Sequence, residues 1–164
     1  NADAANFYTS IYHYPAGFHS NDSMRQVYTW DYGTYTGEIP EAAETFNVVG
    51  NVNEKGLIIT ESTFGGLVDL ACDRNMGIVD YGSLIWITLQ RTSTAREAVA
   101  MMGYLVTNYG YASTGESFSI ADQEEMWYME LIGKGKYEKG AVWVARKVPE
   151  GYATGHANQA RITT

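Results

Sequence analysis

Thr94-Ala95-Arg96-Glu97-Ala98-Val99-Ala100-Met101-Met102-Gly103-Tyr104-Leu105-Val106-Thr107-Asn108-Tyr109-Gly110 is the stretch on which the fold reading turns. Thr94 and Glu97 have the spacing of a capping box, in which a hydroxyl and a carboxylate each satisfy a backbone N–H that the first helical turn leaves orphaned. Ala98, Val99, Met102, Leu105 and Val106 follow at spacings of three and four and so share one helical face. Gly110 supplies the stop. The spacing predicts a helix over 94–109 with Ala98, Met102 and Leu105 buried. Upstream, Leu67, Leu70 and Ala71, then Ile78 and Val79, then Leu84, Ile85, Thr88 and Leu89 extend the helical reading back to Gly66.

Both flanks of this middle change period. Gln26 to Trp30 and Tyr35 to Glu38, around Asp31-Tyr32-Gly33, read as a hairpin within a Tyr-rich β arm over 1–44. Thr45 to Gly50 and Gly56 to Thr60 are β-prone runs joined by the polar turn Asn53-Glu54-Lys55-Gly56, which predicts a second, better buried hairpin. Downstream, 116–121, 126–132, 141–148 and 152–162 read as strands separated by turn clusters such as Gly133-Lys134-Gly135-Lys136. Strands and helices in separate blocks, β then α then β, predict an α+β layered fold rather than a doubly wound one.

Composition bounds the function. A chain of 164 residues, 45% hydrophobic, has the length and apolar content of one domain. No window approaches the roughly 18 consecutive apolar residues of a membrane span, so a soluble chain is expected. Eleven basic against nineteen acidic side chains give a net charge of -8, which repels polyphosphate and argues against nucleic acid as a partner. The single cysteine, Cys72, forms no internal disulfide, and with His13, His19 and His156 it gives no zinc spacing; no metal or other cofactor is expected. The start, Asn1-Ala2-Asp3-Ala4-Ala5, carries neither an initiator Met nor a signal peptide, which suggests a chain processed or cut from something longer.

Three segments carry a resemblance covering most of the chain from about residue 45 onward. They are 49–57 (Val-Gly-Asn-Val-Asn-Glu-Lys-Gly-Leu) with 61–66 (Glu-Ser-Thr-Phe-Gly-Gly), then 94–98, and finally 140–145 with Pro149, Gly151-Tyr152 and 156–162 (His-Ala-Asn-Gln-Ala-Arg-Ile). In this order and spacing they resemble the dipeptidase family of cysteine-type N-terminal-nucleophile hydrolases, relatives of penicillin V acylases and bile salt hydrolases. The resemblance implies a sandwich of two antiparallel sheets between helical layers, the αββα arrangement, with 1–164 forming part of one such domain. It also implies hydrolysis of short peptides through a cysteine acyl-enzyme. In that chemistry the first residue is the nucleophile and its own α-amino group takes the thiol proton, so no separate histidine base is needed.

Site residues follow from the resemblance. Asn158 falls on the family's late asparagine, an oxyanion donor, and Thr63 on the second donor position. Arg161 is placed to bind or order a carboxylate, Glu61 to meet a substrate amine, and His156 to touch substrate. The chain opens on Asn1 where the family has Cys, and the Asn-Asp motif that follows the nucleophile is missing. The expectation is a piece that supplies scaffold, oxyanion donors and substrate groups, inactive alone, whose partners are dipeptides and the nucleophile-bearing segment of the same protein, with homo-oligomers possible. Two alternatives stay open: a non-catalytic binding or assembly module on the same scaffold, and a thiol enzyme using Cys72 with His156 or His19. Against the second, Cys72 sits beside the apolar run 67–71, where a free cysteine usually packs as a small hydrophobe.

Overall fold

A computed structural model describes residues 16–70 and 75–162. Ten strands and two α-helices follow in chain order: β1 (Gly17–Phe18), β2 (Met24–Tyr28), β3 (Tyr35–Pro40), β4 (Glu44–Thr45), β5 (Val48–Val49), β6 (Val52–Asn53), β7 (Ile58–Phe64), α1 (Tyr81–Arg91), α2 (Ala95–Tyr109), β8 (Gly115–Ala121), β9 (Met126–Gly133) and β10 (Ala141–Lys147). Six of the strands form one antiparallel sheet in the order β10-β9-β8-β7-β6-β5. The mixed α and β content in separate blocks is that of an α+β fold.

The sheet has two unlike faces. Ile59, Phe118, Ile120, Met129 and Leu131 alternate onto one face, where they meet Leu84, Ile87, Ala98, Met102, Leu105 and Val106 of the helices in a single core. That burial holds the helices to the sheet, because removing apolar area from water is the dominant favourable term. Gly103 lets α2 approach β10, since a Cβ there would lie 2.6 Å from Trp143 Cζ2. On the other face Ile58, Val142 and Val144 are exposed.

The helix over 94–109 forms as its sequence dictates. Thr94 Oγ1 accepts from the Glu97 N–H, the Glu97 carboxylate accepts from the Thr94 N–H, and Gly110 closes the end at φ +76. Ala98, Met102 and Leu105 are fully buried. The earlier helix is shorter than its period predicts. It begins only at Tyr81, after Asp80 caps it by accepting the N–H groups of Ser83 and Trp30. Residues 68–70 make one 3-10 turn, with Leu67 and Val68 exposed. Between them Gly77 lies against the backbone of Tyr111, and Val79 bridges to Tyr111 in parallel. Extended pairing there displaces the helix.

The two sequence hairpins also differ in outcome. β2 and β3 pair as expected, and Val27 and Ile39 join the common core. Buried Arg25 and Arg91 converge on Glu41, with Arg91 at 2.9 Å, and Arg25 also bonds Gln90, so charge pairing ties this hairpin to α1. Asn53 makes the second turn: its Oδ1 accepts from Lys55 and Leu57, and its Nδ2 donates to the carbonyls of Leu89 and Thr92. The predicted strand 45–50 is broken, however, because β4 pairs with β1 and the chain reverses again at Gly50, where φ is +57. Val49 is left exposed, while Leu57 and Ile59 on the other arm of this hairpin are fully buried.

Residues 152–162 form no strand of the sheet, contrary to the sequence reading. Only the bridge between Ala157 and Gln159 occurs there. The segment lies against the sheet's face, so its polar groups pair with side chains and with one carbonyl rather than with a neighbouring ladder.

Candidate active site

Thr63 lies near the end of β7, and its two halves face different neighbours. Its hydroxyl donates to Glu116 Oε1 at 2.6 Å on the helix side of the sheet, where Thr63 and Glu116 are directly paired across β7 and β8. Its backbone faces outward, by a parity argument. The N–H of Ile59 donates to the Asn51 carbonyl and the Ile59 carbonyl accepts from Asn51 Nδ2, both away from β8. Backbone direction alternates along a strand, so Glu61 and Thr63 also present their N–H and C=O groups to that edge. β6 covers the edge only at Ile58, and among the described residues no strand pairs with it beyond that point.

Asn158 reaches Thr63 across 95 positions of sequence: its Nδ2 donates to the Thr63 carbonyl oxygen at 2.7 Å. A primary amide carries two N–H donors, so the bond leaves one for another acceptor. The segment bearing Asn158 is fastened at several points on the sheet's other face. His156 Nε2 bonds Ser119 Oγ at 2.9 Å, and the histidine ring tilts onto Tyr128 with centroids 5.4 Å apart. The Arg161 N–H donates to Glu130 Oε1 at 2.6 Å and the Ile162 N–H to Glu130 Oε2 at 2.9 Å. Arg161, Arg146, Tyr128 and Tyr152 help line a cleft of about 540 Å³ beside this segment. A second cleft of about 510 Å³ lies over Phe64, Ile132, Val142, Val144 and Ile162.

Of the five site residues named from sequence, the structure joins Asn158 to Thr63 and carries His156 and Arg161 on the same segment as Asn158. Glu61 stands apart. By strand alternation its side chain shares the helix-facing side with Ile59 and Glu116, away from the face that His156 meets. The Thr63 hydroxyl is likewise turned away from Asn158, so only the backbone of Thr63 is presented at the open edge. His19 is remote from this site and bonds Thr45 Oγ1. Cys72 lies outside the described residues.

Two buried glutamates complete the surroundings and were not singled out from sequence. Glu116 is fully buried and its Oε2 has no hydrogen-bond partner. Burial, with the Glu61 carboxylate acting in the same direction and the Thr63 hydroxyl opposing, pushes its carboxyl up to about 9. Burial likewise raises the enclosed Tyr111 phenol well above its usual range, and its hydroxyl is also unpartnered. Glu130 is 5% exposed, and both of its oxygens are bonded. The signal in sequence was a carboxylate at a core-facing position of an alternating run, as in Glu116 with Phe118 and Ile120, or inside an apolar run, as in Glu130 within 126–132. Glu116 turns toward the helices once the sheet forms, and Glu130 is covered by the 156–162 segment.

Chemically, an amide donor, an outward backbone N–H and two guanidinium groups form a set suited to anionic oxygen. The described residues contain no thiol. The family model described as Peptidase family C69 matches residues 4–164. The chain belongs to peptidase family C69. Among its relatives are the "Probable dipeptidase" of Latilactobacillus sakei, 32% identical over 126 residues that cover 74% of this chain and 25% of that protein, and "Dipeptidase A" of Lactobacillus helveticus, 35% identical over 94 residues, covering 57% and 18%. "Probable dipeptidase B" of Lactococcus lactis subsp. lactis (strain IL1403) is 34% identical over 84 residues, covering 51% and 15%. This C69 chain thus spans about a quarter or less of the length of these relatives. Hydrolase, protease and dipeptidase are the terms that fit the family.

Proposed function

We propose that this C69 chain forms part of a dipeptidase that cleaves short peptides through a cysteine acyl-enzyme, supplying the oxyanion donors and part of the substrate site. The observation that carries the reading is the bond from Asn158 to the Thr63 carbonyl, which sets the free N–H of Asn158 next to the outward N–H of Thr63. Attack of a thiolate on a peptide carbonyl moves an electron pair onto the carbonyl oxygen, and fixed donors at one oxygen position lower that barrier. The thiol is supplied from outside the described site, at the head of an N-terminal-nucleophile domain in which 1–164 forms one sheet and one helical layer of an αββα sandwich. The face bearing exposed Ile58, Val142 and Val144 is where the second sheet packs.

Arg161, with Arg146 in the same cleft, meets the substrate carboxylate, and His156 orders the segment and touches substrate beside it. Glu61 faces the helices, so it reaches the substrate amine only around the open edge of β7. In the full-length protein, Asn158→Ala should lower dipeptide turnover by roughly two to three powers of ten, as loss of one oxyanion donor does, while its circular dichroism stays that of the parent. Normal turnover in that variant would remove Asn158 from the reaction.

A further inference from the structure

Asn158 sits on a segment with little support from ladder hydrogen bonding, and its placement depends on a few fasteners. One of them is a single carboxylate. Glu130 accepts the consecutive backbone N–H groups of Arg161 and Ile162, one on each oxygen, and it also accepts from the Tyr128 hydroxyl at 2.5 Å and, more weakly, from Ser117 Oγ at 3.4 Å. Tyr128 and Ser117 stand on the same face of β9 and β8, with their oxygens 3.2 Å apart. The carboxylate is therefore held from below by two side chains while it holds the segment above. Arg161 is three residues from Asn158, so a shift of the Glu130 cradle passes to Asn158 through a very short length of chain.

We propose that Glu130 is a positioning residue for the reaction, seating the 156–162 segment so that the Asn158 amide is held at the Thr63 edge. The proposal rests on the oxyanion reading of Asn158 and names the device that fixes it. Two N–H groups matched to two carboxylate oxygens define the segment's height and tilt together, and charge-assisted bonds of this kind are about twice as strong as neutral ones. An oxyanion donor displaced by about 1 Å costs a reaction on the order of 100-fold. Replacing Glu130 by Gln keeps the volume but sets an amide N–H₂ against one of the two backbone donors, so half of the cradle is lost.

The test uses the full-length protein and a simple dipeptide such as Ala-Ala. Glu130→Gln should lower kcat about 10- to 100-fold, and KM should rise as well because Arg161 rides on the same segment. In kcat, the double variant with Asn158→Ala should be no slower than Asn158→Ala alone, because the oxyanion donor that Glu130 positions is gone; a merely structural role would make the two losses in kcat add. If Asn158→Ala cripples turnover while Glu130→Gln is normal, or the two losses add, the positioning role is overturned and the oxyanion reading stands. If Asn158→Ala is itself normal, the oxyanion reading falls. Should Glu130→Gln fail to fold, hydrogen exchange in the unmodified protein decides: the Arg161 and Ile162 amides should be protected more than about 10-fold, and exchange at the rate of open chain would overturn the proposal.

Discussion

The two faces of the six-stranded sheet solve opposite problems with neighbouring residues. On the helix side, Phe118, Ile120, Met129 and Leu131 are sealed under α1 and α2. On the other side the same strands carry Ser117, Ser119, Tyr128 and Glu130, which bond one another and the segment that bears Asn158. The first face is held by apolar area and tolerates no gaps. The second is held by a small number of directed bonds, and it is there that the proposed chemistry lies. One strand can serve both because its side chains alternate, so function on one face leaves the packing of the other untouched.

The comparison is broken most directly by paired truncations. In the 164-residue chain by itself, Phe118→Ala empties a fully buried site and should cost about 3–5 kcal/mol of unfolding free energy, whereas Val142→Ala, on the face left open in this chain, should change it by less than about 0.5 kcal/mol. Urea denaturation checks both. Equal losses would mean that the second face is packed as tightly as the first.

A smaller effect tests the element most legible in the sequence. Thr94→Ala removes the hydroxyl that caps α2 and should cost about 1 kcal/mol. This helix was readable because every determinant is local: the cap, the apolar spacing and the terminal Gly110 lie within one short stretch. The Asn53–Gly56 turn was readable for the same reason. What the sequence hid depends on distant partners. The helical period from Gly66 was interrupted because Ile78 and Val79 bond the backbone of Tyr109 and Ala112 and Val79 bridges to Tyr111, and 152–162 carried the composition of a strand but found side chains and a carbonyl to bond rather than a ladder. The site divides likewise. The approach of Asn158 to Thr63 was expected from family resemblance, while the outward turn of the Thr63 backbone, the separation of Glu61 and the roles of Glu116 and Glu130 emerge only once the register of β7, β8 and β9 is known.

The last prediction sharpens the contrast between the two buried glutamates and has an effect that vanishes at acid pH. Glu130 has donors for both oxygens, whereas Glu116 has one donor, Thr63, and an Oε2 with no donor, with the Glu61 carboxylate nearby. Its carboxyl, pushed up to about 9 chiefly by burial, stays protonated in the folded protein at neutral pH, while in the unfolded chain it ionises near its ordinary value of 4.5. Between those two values the folded state binds more protons at this site than the unfolded state. Stability from this group therefore falls as pH rises from about 4.5 to about 9 and levels off above. Glu116→Gln, a neutral side chain of the same shape, removes the site's titration. The variant and the parent should be nearly equal in stability at pH 4, and the variant should be increasingly the more stable toward pH 9, as read by urea denaturation across that range. Parallel pH profiles for the two proteins would show that Glu116 is already ionised in the folded state, and with it that the helix side of the sheet accommodates charge as readily as the side that carries Glu130.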